Sequence, residues 1–382
     1  MIHPLEQRVS PNSSSKCILV KSFSRSAAGN MRTCDPKEIR PPYICRRTTN
    51  YLVENILFHK SDLSKQSGDL QLDMTTYHFV FDRLRAIRQD MVVQKIDIIE
   101  NECDFKDLVI HTHVLQVCIK FHLMANYLLG NKNANGADNA RRNVNSTSNT
   151  PFDTHINFSH LLECLKMILT CFESFYPRRC DSDSCQSDKS DNSTIKNTLR
   201  IDMIVVYLLL NIGSYHSYKY GLELDKEAKD SVEVKRAMKM NRLYFERNYV
   251  GLFKEVQNLS LLHMLAFQWN VPSIYKEILL VMNTAYSSKN CKFPLSHFEA
   301  LFALKGIDED RIKTFFDQHD IKTHCDSNNT LQNLQSAEKN KKDIYICFDK
   351  ANFNASPSFK MHELLCIDKK LEKQNLLSFF LD

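Results

Sequence analysis

Residues 79–90 read FVFDRLRAIRQD, a run of helix-forming residues that holds three arginines, two aspartates and a glutamine. At about 100° per residue, its apolar side chains share one helix face, as a core-facing helix requires. That face consists of Val80, Phe81, Leu84, Ile87 and Met91. Arg88 falls within it. Because a buried guanidinium keeps its charge, we expect Arg88 to meet a carboxylate or several backbone carbonyls from a neighbouring helix.

The other polar residues of the run occupy two further faces of the predicted helix. Asp82, Arg85 and Gln89 lie at helical contact spacing on one face, and Arg83 and Asp90 lie on the other. A solvated amphipathic helix with ordinary surface ion pairs would explain these residues. It does not explain Arg88, which we interpret as a charge that fixes one helix against its neighbours.

Composition favours a helical protein without a nucleotide-binding loop. The 382 residues are 43% hydrophobic, which suffices for a sizeable core, and include only 8 glycines. Neither a Gly-x-Gly-x-x-Gly pattern nor a Walker-type lysine loop occurs. The net charge of +5, from 50 basic and 45 acidic residues, permits contact with nucleic acid but does not require it.

The cysteines indicate a reducing compartment. There are 13, without a Cys-x-x-Cys pair, and no secretory leader is evident at the N-terminus. The longest apolar run, residues 203–210, is far shorter than the roughly 20 residues that span a bilayer. We therefore predict a soluble protein with free thiols and no membrane contact.

Residues 1–38 are predicted to be a basic, largely disordered arm, and helices are predicted from Pro41 onward. The clearest helix spans 159–176, and residues 201–212 are apolar nearly all round, which is typical of a central helix. Two polar insertions, 131–150 and 178–194, are predicted loops.

The C-terminal part, 291–382, combines two short helices with a strand. Pro294 begins a predicted helix that Gly306 ends, and Asp308 caps a second helix with Ile312, Phe315 and Phe316 inward. A polar loop, 323–342, precedes a strand at 344–348. The outward residues of the second helix are mostly acidic, so phosphates would be repelled and docking to a protein is favoured. Lys339, Lys341 and Lys342 are the candidates for weak contact with RNA.

Catalytic and metal-binding patterns are not found. His111 and His113 do not share a helix face, and neither a zincin helix nor a Gly-x-Ser-x-Gly motif is present. We predict no enzymatic activity, no cofactor and no metal.

Several segments together carry a family resemblance. Besides 79–90 they are VKSFSRSAAG at 20–29, with Arg25; IRPP at 39–42, with Arg40 and Pro41; TTNYL at 48–52, with Tyr51; IKFH at 119–122; Phe152, Asp153 and Asn157; and RNYVGLF at 247–253, with Asn248. In this order they resemble the Sac-three/GANP family, that of the germinal-centre-associated nuclear protein. The resemblance covers roughly residue 16 to the C-terminus.

The resemblance implies a fold and two alternative functions. The implied fold is a helical-repeat (TPR/PCI-like) superhelix over 39–290, followed by a C-terminal winged-helix domain over 291–382. Large members of the family are non-catalytic scaffolds of nuclear mRNA export. In the transcription-and-export complex they dock a PCI-domain protein that a small acidic DSS-like subunit stabilises.

A short member of the family is instead a centrosome duplication and mitotic spindle factor with centrosomal or spindle partners. The present chain resembles this short member in size and in carrying little beyond the family domain. Unlike the large members, it contains no phenylalanine-glycine repeats. The expected location is nucleus and cytoplasm, or alternatively centrosome and spindle.

Overall fold

The computed structural model describes residues 3–9, 19–24, 36–58, 70, 72–95, 102–130, 152–175, 191–288, 291–304, 306–325, 344–354 and 364–382. Its helices are α1 Pro4–Val9, α2 Pro42–Tyr51, α3 Met74–Val93, α4 Glu102–Ala125, α5 Thr154–Phe175, α6 Asp191–Leu210, α7 Tyr215–Glu223, α8 Lys226–Asp230, α9 Val232–Phe245, α10 Tyr249–Val256, α11 Leu261–Gln268, α12 Val271–Ala285, α13 Leu295–Leu301, α14 Glu309–Gln318, α15 Leu365–Leu371 and α16 Leu376–Leu381. The strands are β1 Phe293–Pro294, β2 Lys322–Cys325 and β3 Ile344–Cys347. The predicted mainly α class is confirmed.

The chain forms two compact units. The first contains the described residues of Met1–Asn133 and Ala137–Ile204 together with Lys373–Asp382, and the second contains those of Val205–Glu372. The predicted segments 1–38, 39–290 and 291–382 follow other boundaries, and they stay a prediction.

Helix α4 is the central element of the first unit. It packs against α2, α3, α5 and α16, and both α2 and α4 continue as π-helical segments, Leu52–Leu57 and Asn126–Gly130. Among the described residues, Lys106–Gly130 alone is long and apolar enough to cross a bilayer, but 83% of its apolar window is buried in protein. Core helices of soluble folds meet the same criteria, so this finding is weak support for a membrane span.

An aromatic core joins the helices of the second unit. Tyr275 stacks on Phe253 with 5.4 Å between ring centroids and meets Phe315 edge-on at 5.9 Å. Its hydroxyl donates a 3.0 Å hydrogen bond to the Phe302 carbonyl oxygen, which satisfies the one polar atom of this buried side chain. Residues of α10, α12 and α14 thus share one core.

A small antiparallel sheet follows in the same unit. Its strand order is β1-β3-β2, with Phe293 opposite Ile346 and Lys322 opposite Cys347. Helix α13 packs on β1 and β3, and α14 packs on β2. Ile312, Phe315 and Phe316 of α14 are buried, as predicted: their exposures are 0%, 2% and 0%.

Three sequence predictions need correction. Helix α6 begins at Asp191, so the last four residues of the predicted loop 178–194 are helical. Residues 323–325 belong to β2 and not to a loop, because their backbone pairs with β3. Helix α13 ends at Leu301, well before Gly306, and Asp308 precedes α14 without a capping hydrogen bond from its side chain.

Most residues of the two insertions and of the C-terminal loop were not assigned a structure above. Residues 131–150, 178–190 and 326–342 lie outside the described residues.

Candidate interaction site on helix α3

Helix α3 contains the whole of residues 79–90. The Asp73 side chain begins the helix by accepting a 2.7 Å hydrogen bond from the Thr76 backbone N–H. Such a cap satisfies one of the backbone donors that the first turn of a helix leaves unpaired. Leu84, Ile87 and Met91 are no more than 2% exposed, so the apolar face of the helix forms part of the core.

Arg88 is buried at the contact between α3 and α5. It is 5% exposed; its Nη1 donates to Glu163 Oε2 at 3.2 Å, and its Nη2 lies 3.1 Å from His160 Nδ1. The prediction of a buried arginine that meets a carboxylate on a neighbouring helix is confirmed. Burial alone would lower the pKa of Arg88, but the sulphur atoms of Cys164 and Cys118, with Glu163, raise it.

Asp90 binds two basic residues from segments that precede α3. Its Oδ2 accepts a 2.6 Å hydrogen bond from Arg40 Nε, and its Oδ1 accepts one of 2.8 Å from Lys21 Nζ. Asp90 is 2% exposed, so both cations compensate a carboxylate that is out of water. The Gln94 side chain also donates to the Arg40 carbonyl oxygen at 2.9 Å. Asp90 therefore holds the segment that precedes α2 against α3.

Residues 19–24, which we call the docked segment, lie along a second face of α3. Asp82 Oδ2 accepts a 3.1 Å hydrogen bond from the Phe23 backbone N–H, and Gln89 donates to the Ser24 carbonyl oxygen at 3.3 Å. The Arg85 guanidinium lies 3.9 Å from the centroid of the Phe23 ring, a cation–π contact. The three residues predicted to share a face thus bind one extended piece of chain.

Helix α1 lies beside the face of α3 that carries Arg83. Glu6, 4% exposed, accepts a 2.9 Å hydrogen bond from the Val20 backbone N–H and lies 4.0 Å from Arg83 Nη2. Arg83 also pairs with Asp82 at 2.5 Å and lies 4.4 Å from the Phe79 ring centroid. The described parts of residues 1–38, predicted to be a largely disordered arm, therefore include a helix and a segment held on α3.

A buried hydrogen-bond network joins α3, α4 and α5. Asn157 Oδ1 accepts from the Tyr77 hydroxyl at 3.2 Å and lies 2.8 Å from His122 Nδ1, while Asn157 Nδ2 donates to the His122 carbonyl oxygen at 2.9 Å. Burial, with Asp153, raises the pKa of Tyr77, so the hydroxyl keeps its proton for this bond. His122 and Asn157 belong to the IKFH and Phe152–Asn157 motifs, which the network explains.

The remaining residues of the predicted set serve local roles. Pro41 is the N-cap of α2, and Phe81 lies edge-on to His160 at 5.0 Å. In the second unit, Asn248 caps α10 by accepting a 2.9 Å hydrogen bond from the Gly251 backbone N–H. Tyr51 is half-buried at the end of α2. The other members of the set lie outside the described residues: Arg25, Lys339, Lys341 and Lys342.

An open concavity of about 470 Å³ lies on α2 and the π-helical segment that follows it. It is lined by Tyr43, Arg46, Arg47, Asn50, Tyr51, Glu54 and Asn55. Next to it, His113 Nε2 lies 3.0 Å from Asn50 Oδ1, and burial, with Arg46 and Lys120, lowers the pKa of His113 to about 4. In the described part of the chain, no three His, Cys, Asp or Glu side chains are placed to hold a metal ion.

Sequence reasoning did not identify three partners of the α3 charges: Glu6, Lys21 and Phe23. Lys21 and Phe23 stand in the VKSFSRSAAG motif, but a motif does not show which helix its residues contact. One signal was available, since Asp82, Arg85 and Gln89 form a polar stripe about the length of a short extended segment. A polar stripe of this kind can equally face solvent. Only the tertiary structure shows whether it faces solvent or binds another segment of the chain.

Two comparisons with known proteins identify relatives of the chain. The sequence model of the SAC3/GANP family matches residues 1–324. SAC3 family protein 1 of Schizosaccharomyces pombe is 23% identical over 313 residues, which cover 81% of the present chain and 26% of that protein. The chain thus spans about a quarter of the length of this relative. Since the family match includes the docked segment, α3 and most of the second unit, the chain belongs to the SAC3/GANP family.

Proposed function

We propose that this protein is a non-catalytic scaffold of nuclear mRNA export, a subunit of a transcription-and-export complex that docks a PCI-domain protein. The observation that carries the proposal is the family match over residues 1–324, which takes in described parts of both compact units. The PCI-domain protein would be joined by a small acidic DSS-like subunit, and the protein would act in nucleus and cytoplasm.

The contacts of α3 support a scaffold with its docking surface elsewhere. Asp82, Arg85 and Gln89 bind the chain's own docked segment, and Asp90 binds Arg40 and Lys21. These side chains are already engaged, so a partner would have to displace the docked segment to reach them. We infer that α3 organises the first unit and that partners bind other surfaces.

Helix α14 is the docking surface that we favour. The order helix, helix, then an antiparallel pair of strands in 295–347 is the order of a winged helix, and we assign that fold to it as the end of a helical superhelix. Asp308, Glu309, Asp310 and Asp317 are exposed, whereas Ile312 faces the core. An acidic face repels phosphate and attracts a basic protein surface.

Contact with RNA is a weaker part of the proposal. Lys339, Lys341 and Lys342 would supply it, because three lysines within four residues can neutralise phosphates. Replacing the three lysines by alanine should lower any RNA affinity and flatten its salt dependence. RNA binding with an unchanged salt slope would show that these lysines take no part.

Affinity purification of the tagged full chain from nuclear and cytoplasmic extracts tests the function. Recovery of a PCI-domain protein together with a small acidic subunit supports the export scaffold. Recovery of centrosomal or spindle proteins without that pair supports the alternative, a centrosome duplication and spindle assembly factor. Recovery of neither set contradicts both.

A charge reversal on α14 tests the docking surface. We expect the double variant Asp310→Lys, Asp317→Lys to lose the PCI-domain partner while its far-UV circular dichroism and melting stay those of the parent, since both residues are exposed. Glu372→Lys, an exposed reversal after α15, is the matched control and should keep the partner. Equal binding by both variants would exclude α14 as the docking surface.

A further inference from the structure

The concavity on α2 lies on a helix that is anchored in the core of the first unit. On the opposite face of α2, Cys45 and Thr49 are 0% exposed, and Leu52 of the π-helical segment is also 0% exposed. Asn50, which lines the concavity, is held by the 3.0 Å contact between its Oδ1 and His113 Nε2 of α4. Since α2 packs on α4, the side chains around the concavity project from an anchored backbone.

Two arginines give one end of the concavity its positive charge. Arg46 and Arg47 both line it and are exposed. Among the residues that the structure describes, neither guanidinium has a carboxylate within ion-pair distance. Burial, followed by the charges of Arg46 and Lys120, lowers the pKa of His113 to about 4, so the neighbouring imidazole adds no charge at neutral pH. Two adjacent cations without a carboxylate partner attract an anion.

A single carboxylate lines the other end of the same concavity. Glu54 is exposed, stands seven residues after Arg47, and has no ion pair with any residue in the described part of the chain. A helix rises about 1.5 Å per residue, which places Glu54 about 10 Å from the arginines along the axis. A nucleic-acid strand is negative along its whole length and would be repelled there, whereas a peptide can carry both signs of charge. The charge pattern therefore fits a segment of protein.

The uncharged side chains around the concavity favour the same class of ligand. Tyr43 is 65% exposed and Tyr51 is half-buried. Tyrosine and arginine are enriched in protein interfaces, where they combine apolar contact area with hydrogen-bonding groups. The π-helical segment Leu52–Leu57, which contains Glu54, is an irregularity that is frequent at functional sites.

We propose that this face of α2 binds an extended phosphoserine peptide of a partner protein, with the phosphate on Arg46 and Arg47 and a basic side chain on Glu54. A phosphoserine carries a charge near −2 at neutral pH, which two guanidinium groups balance more fully than they balance a carboxylate. An extended peptide advances about 3.3 Å per residue, so the basic residue lies about three positions from the phosphoserine. The site belongs to the first unit and does not rest on the export function or on docking at α14.

Selection from peptide libraries by the immobilised full chain tests the proposal. Three libraries share degenerate flanks and differ at one fixed position, which is phosphoserine, serine or glutamate. We expect the phosphoserine library to be retained about tenfold more than either of the others, with Lys or Arg enriched about three positions from the phosphoserine. Equal retention of the serine or the glutamate library, or the absence of an enriched basic position, would overturn the proposal.

Charge variants locate the binding on α2. The double variant Arg46→Glu, Arg47→Glu should lose the preference for phosphoserine. Lys226→Glu, Lys229→Glu makes the same change of charge at exposed residues of α8 and should keep the preference. All of these residues are exposed, so far-UV circular dichroism and melting should stay those of the parent. An arginine variant that keeps the preference would contradict the site.

Glu54→Lys tests the other end of the peptide. This variant should still prefer phosphoserine but should enrich Asp or Glu where the parent enriches Lys or Arg, because the charge that faces that position is reversed. Continued enrichment of basic residues would exclude Glu54 as their partner. Oligouridine is the probe for RNA and should bind the parent no more tightly than the arginine variant; RNA binding that this variant loses would assign the face to nucleic acid instead.

Discussion

Helices α3 and α14 both carry many charges, but the charges meet different surroundings. In α3, Arg88 and Asp90 are 5% and 2% exposed, and each is bound by side chains from other segments. In α14, Asp310 and Asp317 are exposed to water. A charge removed from water must be compensated within the chain, whereas an exposed charge has no such need. The comparison teaches that charges in α3 assemble the first unit, while those of α14 remain available to a partner.

The largest effect is expected at Asp90. Asp90→Ala removes the carboxylate that Arg40 and Lys21 share and leaves two partly buried cations without it. We expect the free energy of unfolding to fall by about 3–5 kcal/mol, the usual cost of breaking a buried pair at one end. Urea denaturation measures it. A loss below 1 kcal/mol, on the order of a surface pair, would show that these contacts are not stabilising.

Arg88→Ala should cost less, about 2–3 kcal/mol, because Glu163 can hydrate once its partner is gone. Arg88→Lys should recover little of this stability, since a single ammonium cannot contact both Glu163 and His160 as the two Nη atoms of the guanidinium do. Thermal and urea denaturation of both variants provide the measurement. An alanine variant that melts like the parent would mean that Arg88 lies in solvent and that α3 is a binding surface after all.

Phe23→Ala tests the docked segment and should cost about 1 kcal/mol. The double-mutant cycle with Arg85→Ala should show a coupling of about 0.5–1 kcal/mol, because the guanidinium lies on the Phe23 ring. Hydrogen exchange should rise in residues 19–24 and change little in α4. Additive single effects would contradict the cation–π contact.

Glu163→Gln should have a smaller, pH-dependent effect, below about 1 kcal/mol, since the side chain is 55% exposed. Burial alone would raise the pKa of Glu163, but Arg88 and His160 hold it below its ordinary 4.5. The folded chain therefore binds this proton less readily than the unfolded chain. The stabilisation is present above pH 4.5 and disappears as the pH falls through the lower, folded-state pKa.

Urea denaturation of parent and variant across this range measures the difference. Both chains should carry His160→Gln, so that the imidazole does not titrate as well. A difference that grows in acid would reverse the expected sign.

The smallest effect is expected on α14. Asp310→Ala and Asp317→Ala should each change the free energy of unfolding by less than about 0.5 kcal/mol, because both side chains are exposed. Urea denaturation of these two variants and of Asp90→Ala compares their free energies of unfolding directly. A loss comparable to that of Asp90→Ala would remove the distinction between the two helices.

Local structure was predictable wherever nearby residues decide it. The apolar face of α3, the burial of Arg88 and the inward residues of α14 follow from helical periodicity, which requires only sequence spacing. The start of α6 and strand β2 were not predicted. Strand β2 exists because its backbone pairs with β3, and its own residues read as a polar loop.

By itself, the sequence determined the mainly helical class, the family motifs and the need of Arg88 for a buried partner. Only the tertiary structure decided which groups meet: Glu163 and His160 with Arg88, Arg40 and Lys21 with Asp90, and Phe23 with Arg85. The physical reason is the separation along the chain over which each effect acts. Periodicity depends on neighbours along the chain, whereas the partner of a buried charge can come from any distant segment of suitable chemistry.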